Sequence, residues 1–392
     1  MASKSKVASF KEVLSKEEID IEELRRLCFY GCTDKEGIRA TCWKILLGYL
    51  PVKRKYWEEE LRRQRSSYHR LMNDVIINPY KEEDQTEAVD HPLNPNPDSQ
   101  WHKYFEDNDI LLQIDHDTRR LYPEISFFQL PTMYPRKAFN TGVVLGIEAL
   151  KERVSHSSLP SQKVESSRYG VRKVKIKKNE EEPFSPLKEG EEGHWEVVER
   201  ILFIYAKMNK GIGYVQGMNE IIGPIYYIFA QHPDSLWKEH AEADTFFCFS
   251  NLMVEIGDNF TKKLDRSRAG IGGSMNRLMT LLKDRDTEIH KNLIDKEIDP
   301  AFFGFRWITL LLSQEFLLPD VIRLWDSLFS DSERFDFLIY VCTAMIICIR
   351  TDILAADFSV TIKLLQNYPI DDMQRILQKA QDIKQFYSLS KR

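Results

Sequence analysis

The residues with the most chemical potential in this 392-residue chain sit in three short motifs. The first is Gly37-Ile-Arg39-Ala-Thr-Cys-Trp43. Arg39 and Trp43 are four apart, so on a helix they share a face, and a guanidinium over an indole is a sound packing pair. Structural support is the reading these two favour. The second is Ile114-Asp-His-Asp117-Thr-Arg-Arg120. Each three-residue step on a helix advances about 300°, so Ile114, Asp117 and Arg120 lie along one side. Ile114 can anchor with Leu111, and Arg120 then emerges near a helix end set by Pro123. Asp117 is placed to hold the stem or guanidinium of Arg120, and an ordinary surface ion pair at i, i+3 is the plainer alternative. The third is Gly213-Tyr214-Val-Gln216-Gly217-Met-Asn219-Glu220. Tyr214 and Gln216 face the same way if the segment is extended. The flanking glycines permit tight turns and close approach by another backbone. A polar turn ahead of a core helix explains this motif equally well.

Helices must position these side chains. Apolar periodicity predicts helix over 8–29, 36–50, 53–77 and 99–121, and again over 194–208, 218–230, 235–256, 274–284, 287–296, 300–315, 319–329, 334–350, 358–366 and 370–386. Strand alternation is scarce, and no repeat of fixed period occurs. Three prolines in the segment His91–Asp98 predict an extended loop. Residues 151–193 are rich in Ser, Lys and Glu. They carry a basic run from Arg168 to Lys178 and an acidic one that includes Glu180, Glu189, Glu191 and Glu192. So few apolar residues cannot offset the entropy of ordering, which predicts a flexible insertion.

Composition narrows the function classes. The net charge is -5 and the pI about 6.1, so the basic footprint expected of a nucleic-acid binder is missing. Residues 1–20 lack the apolar stretch of a secretory signal, and reduced thiols are expected. Cys28, Cys32 and Cys42 have poor metal-ligand spacing, so buried structural cysteines are the expected reading. The longest apolar run, 337–349, is shorter than the roughly 20 residues needed to span a bilayer and reads as a core helix. The phosphate-binding loop, the dinucleotide fingerprint, His-Glu-x-x-His and Gly-x-Ser-x-Gly are all absent from the sequence. Many helices with no nucleophile or cofactor motif point to binding or regulation.

Taken together and in order, the three motifs resemble those of the TBC domain family, the large class of Rab GTPase-activating proteins: Arg-x-x-x-Trp, Ile-x-x-Asp-x-x-Arg and Tyr-x-Gln. The blocks 242–249, 306–312 and 318–329 resemble family segments too, and the likeness runs from about residue 35 to 335. The segments 91–99 and 194–206 resemble a short family member with little besides this domain.

The resemblance implies an all-α, two-lobed helical domain over 34–335, interrupted by an insertion at 131–193. An N-terminal extension at 1–33 and C-terminal helices at 336–392 would flank it. It implies that Arg120 and Gln216 enter the active site of a GTP-bound Rab and speed hydrolysis, supported by Asp117, Tyr214, Gly217, Asn219, Arg39 and Trp43. A guanidinium offers a fork of donors and keeps its charge, while a carboxamide offers an acceptor for water and a donor for phosphate. Those are the two aids that slow GTP hydrolysis lacks. The chain would need no cofactor of its own, since GTP and Mg²⁺ belong to the partner. Its expected place is the cytoplasm, with peripheral association with endomembranes through the Rab. A non-catalytic Rab-binding scaffold on the same fold stays open, as does membrane targeting by the basic run at 168–178. Arg119 is the rival finger. The wide gap between the second and third motifs departs from the family pattern; the insertion that fills it should loop out, because folded over the site it would obstruct a partner.

Overall fold

The structure, a computed structural model, describes residues 2–76, 99–135, 150, 187–188, 191–261, 270–370 and 372–390. The expected loop at 91–98 and nearly all of the 131–193 insertion, including the basic run, lie outside the described residues. Among the described residues the regular elements are helices, joined by two isolated β-bridges. None of these helices is long and apolar enough to cross a membrane. The chain divides into two compact units, residues 1–58 with 251–392, and residues 59–250.

In the first unit, α1 (Ala2–Ser15) and α2 (Ile21–Phe29) replace the single helix expected over 8–29. The break has a local cause. The Asp20 side chain caps α2 by accepting from the backbone N–H groups of Glu22 and Glu23, and Ile19 N–H is drawn away to Val52 O at 2.9 Å. After α3 (Ile38–Leu46), the chain enters α4 (Trp57–Val75).

The second unit holds α5 (Gln100–Thr118), α6 (His194–Met208) and α7 (Met218–Ala230), and most of α8 (Ala241–Ile256). Twelve consecutive residues of α6, Trp195 to Ala206, are buried, so α6 is the core helix of this unit. Its buried arginine is answered internally. Arg200, 2% exposed, donates to Glu192 Oε1 at 2.7 Å and to both oxygens of Glu242 at 2.6 and 2.8 Å, and Tyr68 Oη donates to Glu242 Oε1 at 2.6 Å. Glu192 is therefore a buried ion partner rather than part of a solvated acidic run. Composition alone could not separate it from its neighbours. The two ends of the insertion are tied together: Thr132 N–H donates to Glu192 O at 2.7 Å and His194 N–H to Leu130 O at 3.1 Å, an antiparallel bridge between Pro131 and Gly193.

The rest of the first unit is built from α9 (Ile271–Arg285), α10 (Thr287–Asp295), α11 (Gly304–Thr309), α12 (Leu318–Ser330), α13 (Arg334–Cys348), α14 (Arg350–Ala355), α15 (Phe358–Gln366) and α16 (Met373–Ser390). Helix α13 contains the apolar run and is buried from Phe337 to Ile346, packed by α9 and α16. The helix expected over 300–315 ends early, at Thr309. Leu311 and Leu312 take left-handed backbone conformations (φ 51° and 62°), which for branched side chains is strained. Trp325 Nε1 donates to Leu311 O at 3.0 Å, and Arg306 forks onto Glu315 at 2.6 and 2.8 Å across the turn. Tertiary bonds thus override the helical pattern there.

Candidate functional site

The second and third motifs meet at one end of the second unit. Helix α5 is anchored by Leu111 and Ile114, both fully buried, and ends at Thr118. Thr118 Oγ1 donates back to Ile114 O at 2.9 Å, and Leu121 N–H closes a tight turn onto Thr118 O at 3.1 Å. Arg120 sits in that turn, its N–H on Asp117 O at 3.3 Å. Tyr122 follows in the left-handed region (φ 44°) and swings the chain back toward α7. Its Oη donates to Glu220 O at 3.0 Å, and its ring lies so close to Gly223 that a Cβ there would stand 2.8 Å from Tyr122 Cε2. A glycine is required at that crossing.

Facing this turn, Gly213 and Gly217 both have positive φ (67° and 100°), and Gly217 occupies the position just ahead of α7. Between them Tyr214 Oη donates to Asp117 Oδ2 at 2.7 Å, and the Gln216 side chain lies near enough to help hold the Asp117 carboxyl down. Asn219 in the first turn of α7 donates to Asp117 O at 3.3 Å. Tyr214 and Gln216 therefore do face the same way, and what they face is Asp117. Burial pushes the Asp117 carboxyl above its ordinary pKa, while the hydrogen bonds from Tyr214 and Gln216 and the charge of His116 pull it back down.

This corrects the expected role of Asp117. Its carboxylate is directed to Tyr214 and Gln216, and it meets Arg120 through the backbone. Among the described residues, the Arg120 guanidinium is exposed and enters no hydrogen bond or ion pair, and Gln216 is exposed with its side chain near Asp117. Arg119, one residue away, is fully engaged. Its Nε donates to both oxygens of Asp115 at 2.9 and 2.8 Å, and its guanidinium stacks 4.3 Å from the centroid of the Trp195 ring.

The first motif belongs to the other unit and is structural. Arg39 and Trp43 meet through a third residue, the fully buried Asp326 of α12. Trp43 Nε1 donates to Oδ1 at 2.8 Å, Arg39 Nε at 3.2 Å, and Cys32 N–H donates to Oδ2 at 2.7 Å. Arg39 also donates to Cys32 O at 3.1 Å. Sequence reasoning paired Arg39 with Trp43 directly and missed Asp326. A buried indole N–H and a guanidinium four residues apart both need an acceptor, and that was the available signal. Tyr122 and Trp195 were missed as well, since nothing local in sequence shows that a tyrosine bridges to a carbonyl 98 residues later.

Comparison with known proteins gives the family. Residues 149–354 match the family model of the Rab-GTPase-TBC domain. That stretch contains Tyr214 and Gln216; Arg120 lies ahead of it and is covered by whole-chain similarity. The chain is 52% identical to TBC1 domain family member 13 of Mus musculus, across 97% of this chain and 98% of that protein. It is 35% identical to a TBC domain-containing protein of Schizosaccharomyces pombe, across 100% of this chain and 74% of that one. Among solved structures, the Ypt/Rab-GAP domain of Gyp1p shares the fold, with a TM-score of 0.69 over 98% of each chain at 23% identity. The chain therefore belongs to the Rab-GTPase-TBC domain family.

Proposed function

We infer that this protein is a GTPase-activating protein for a Rab GTPase, with Arg120 and Gln216 supplied in trans. The observation that carries the reading is the contrast between the two adjacent arginines. Arg119 is held by Asp115 and Trp195, whereas Arg120 is exposed and without a partner among the described residues. A finger must be uncommitted in the free protein, because any internal ion pair would have to be broken before it could meet the γ-phosphate. The Arg120 guanidinium would neutralise charge developing on the transferred phosphoryl group, and a trans arginine is worth about 10³ to 10⁵ in rate. The Gln216 carboxamide would orient the attacking water. GTP and Mg²⁺ come with the partner, and membrane association would follow from the partner's own location.

The test is single-turnover GTP hydrolysis across a panel of purified, GTP-loaded Rabs, with wild type and Arg120→Ala in parallel. Acceleration of some Rabs by wild type, lost in the variant, supports the reading. Binding without acceleration would replace it with a Rab-binding scaffold.

A further inference from the structure

Three cysteines of the first unit converge on a cluster that the GTPase reading leaves unused. Cys28 is the penultimate residue of α2, Cys32 follows the left-handed turn at Gly31 (φ 92°), and Cys42 lies in the middle of α3. Their three Sγ atoms lie within 4.8 Å of one another, and the residues are 0, 8 and 0% exposed. Among the described residues, this is the one group of His, Cys, Asp or Glu side chains gathered closely enough to hold a metal ion. The sequence spacing argued against such a site; the turn at Gly31 and the packing of α2 on α3 bring the thiols together anyway.

Packing alone would need only apolar volume at these positions, yet the surroundings are charged. Arg39 donates to Asp326 and to the carbonyl of Cys32. The Arg323 side chain lies against Gly31, where a Cβ would stand 3.0 Å from Nε, and its Nη1 donates to Ser327 Oγ at 2.8 Å. Two guanidinium groups thus flank one fully buried carboxylate, Asp326. The other carboxylate on Arg39, Asp34, is 70% exposed. With it the four charges balance. Three thiolates around a divalent ion carry one negative charge and around a monovalent ion two, which is the more costly to bury.

We propose that Cys28, Cys32 and Cys42 form a three-thiolate site for a thiophilic divalent ion, Zn(II) by ligand type, with solvent in the fourth position on the side of Cys32. Zinc–thiolate bonds are about 2.3 Å long, which sets tetrahedral sulfur–sulfur separations of about 3.8 Å, so the thiols need to close by about 1 Å at most. On loading, three S–H bonds break, three metal–sulfur bonds form and the three protons go to solvent, with no change of oxidation state. Burial holds all three thiols well above their ordinary pKa, so they stay protonated until an ion replaces the protons. Asp326 and Arg39 fix the backbone of Cys32 in the manner of groups that orient metal ligands.

The experiment uses the full chain, purified reduced, stripped with chelator and titrated with Cd(II) and then Zn(II), with Cu(I) in a parallel anaerobic run. The expected result is one equivalent bound per chain, a thiolate-to-cadmium charge-transfer band, and displacement of cadmium by zinc. Cys42→Ser and Cys28→Ser should weaken binding by more than the roughly 10–100-fold typical of losing a group that only supports a ligand. Cys342→Ser, at a buried thiol outside the cluster, should leave it unchanged. Failure of the wild type to take up one equivalent overturns the proposal without recourse to any variant. So does affinity that survives both cluster substitutions, or uptake of Cu(I) with neither divalent ion. None of these readouts depends on GTP hydrolysis.

Discussion

Replacing Arg119 and Arg120 separately by alanine should give opposite phenotypes, although the residues are neighbours. Arg119 sits in an i, i+4 ion pair with Asp115 and over the Trp195 ring, with its side chain 46% exposed. Such a pair at an exposed helix site is worth about 0.3–0.5 kcal/mol, and the cation–π contact about 0.5–1 kcal/mol. Asp115 is only 7% exposed, so truncating Arg119 also leaves a nearly buried carboxylate short of its guanidinium. Arg119→Ala should therefore lose about 1–2 kcal/mol of stability in urea unfolding while GTP hydrolysis on a responsive Rab falls by less than about threefold. Arg120→Ala removes an exposed side chain that has no partner among the described residues and should change stability by no more than about 0.5 kcal/mol. Its effect on hydrolysis should be a loss of about 10³ to 10⁵, or about 4–7 kcal/mol of transition-state stabilisation. The two assays, run on the same preparations, separate folding from catalysis. An inactive Arg119→Ala that folds normally, beside an active Arg120→Ala, would refute the reasoning, because it would mean that the engaged arginine leaves Asp115 and Trp195 to act.

Arg200→Ala leaves Glu192 and Glu242 buried without their cation and should cost about 3–5 kcal/mol; a loss under about 1 kcal/mol in urea unfolding would show that the network relaxes or takes up protons freely. Gly223→Ala places a methyl 2.8 Å from the Tyr122 ring and should destabilise by about 1–3 kcal/mol while lowering hydrolysis on a Rab, since the turn carrying Arg120 must shift; unchanged activity would disconnect that crossing from the site. Burial, with Lys238 nearby, pushes His194 down to about 4 from its ordinary 6.5. The unfolded chain then takes up a proton below about pH 6.5 that the folded chain refuses until about pH 4, so this group leaves stability flat above that window and lowers it by at most about 3 kcal/mol across it. A His194→Gln variant that keeps the same stability slope between those pH values would assign the slope elsewhere.

How far the sequence disclosed the molecule depended on whether the deciding interaction was local. Helices α6, α7 and α15 lie at 194–208, 218–230 and 358–366, as their periodicity implied. Each starts at a residue whose type marks a boundary: Gly193, Gly217 and Asp357. The break at Asp20 was legible only as a capping residue inside an otherwise helical pattern. The early end of α11 was not legible, because it is set by Trp325 and Arg306 acting across the turn. Similarly, the alignment of Tyr214 with Gln216 follows from spacing, whereas the burial of Glu192 depends on Arg200, a full two turns into α6.

The reassignment of Asp117 links the second and third motifs more tightly than their order in the chain suggests. An aspartate three residues before an arginine at a helix end would ordinarily pair with it, and that pair would hold the arginine down. Here the phenol of Tyr214 donates to the Asp117 side chain from the other motif, with Gln216 close by, and Asn219 donates to its carbonyl. Among the described residues the guanidinium of Arg120 has no partner, and its neighbour is removed from competition by Asp115 and Trp195. The acid of one motif serves as the anchor of the other. An exposed arginine, through its backbone N–H, and an exposed glutamine, through its side chain, are thus both placed at Asp117.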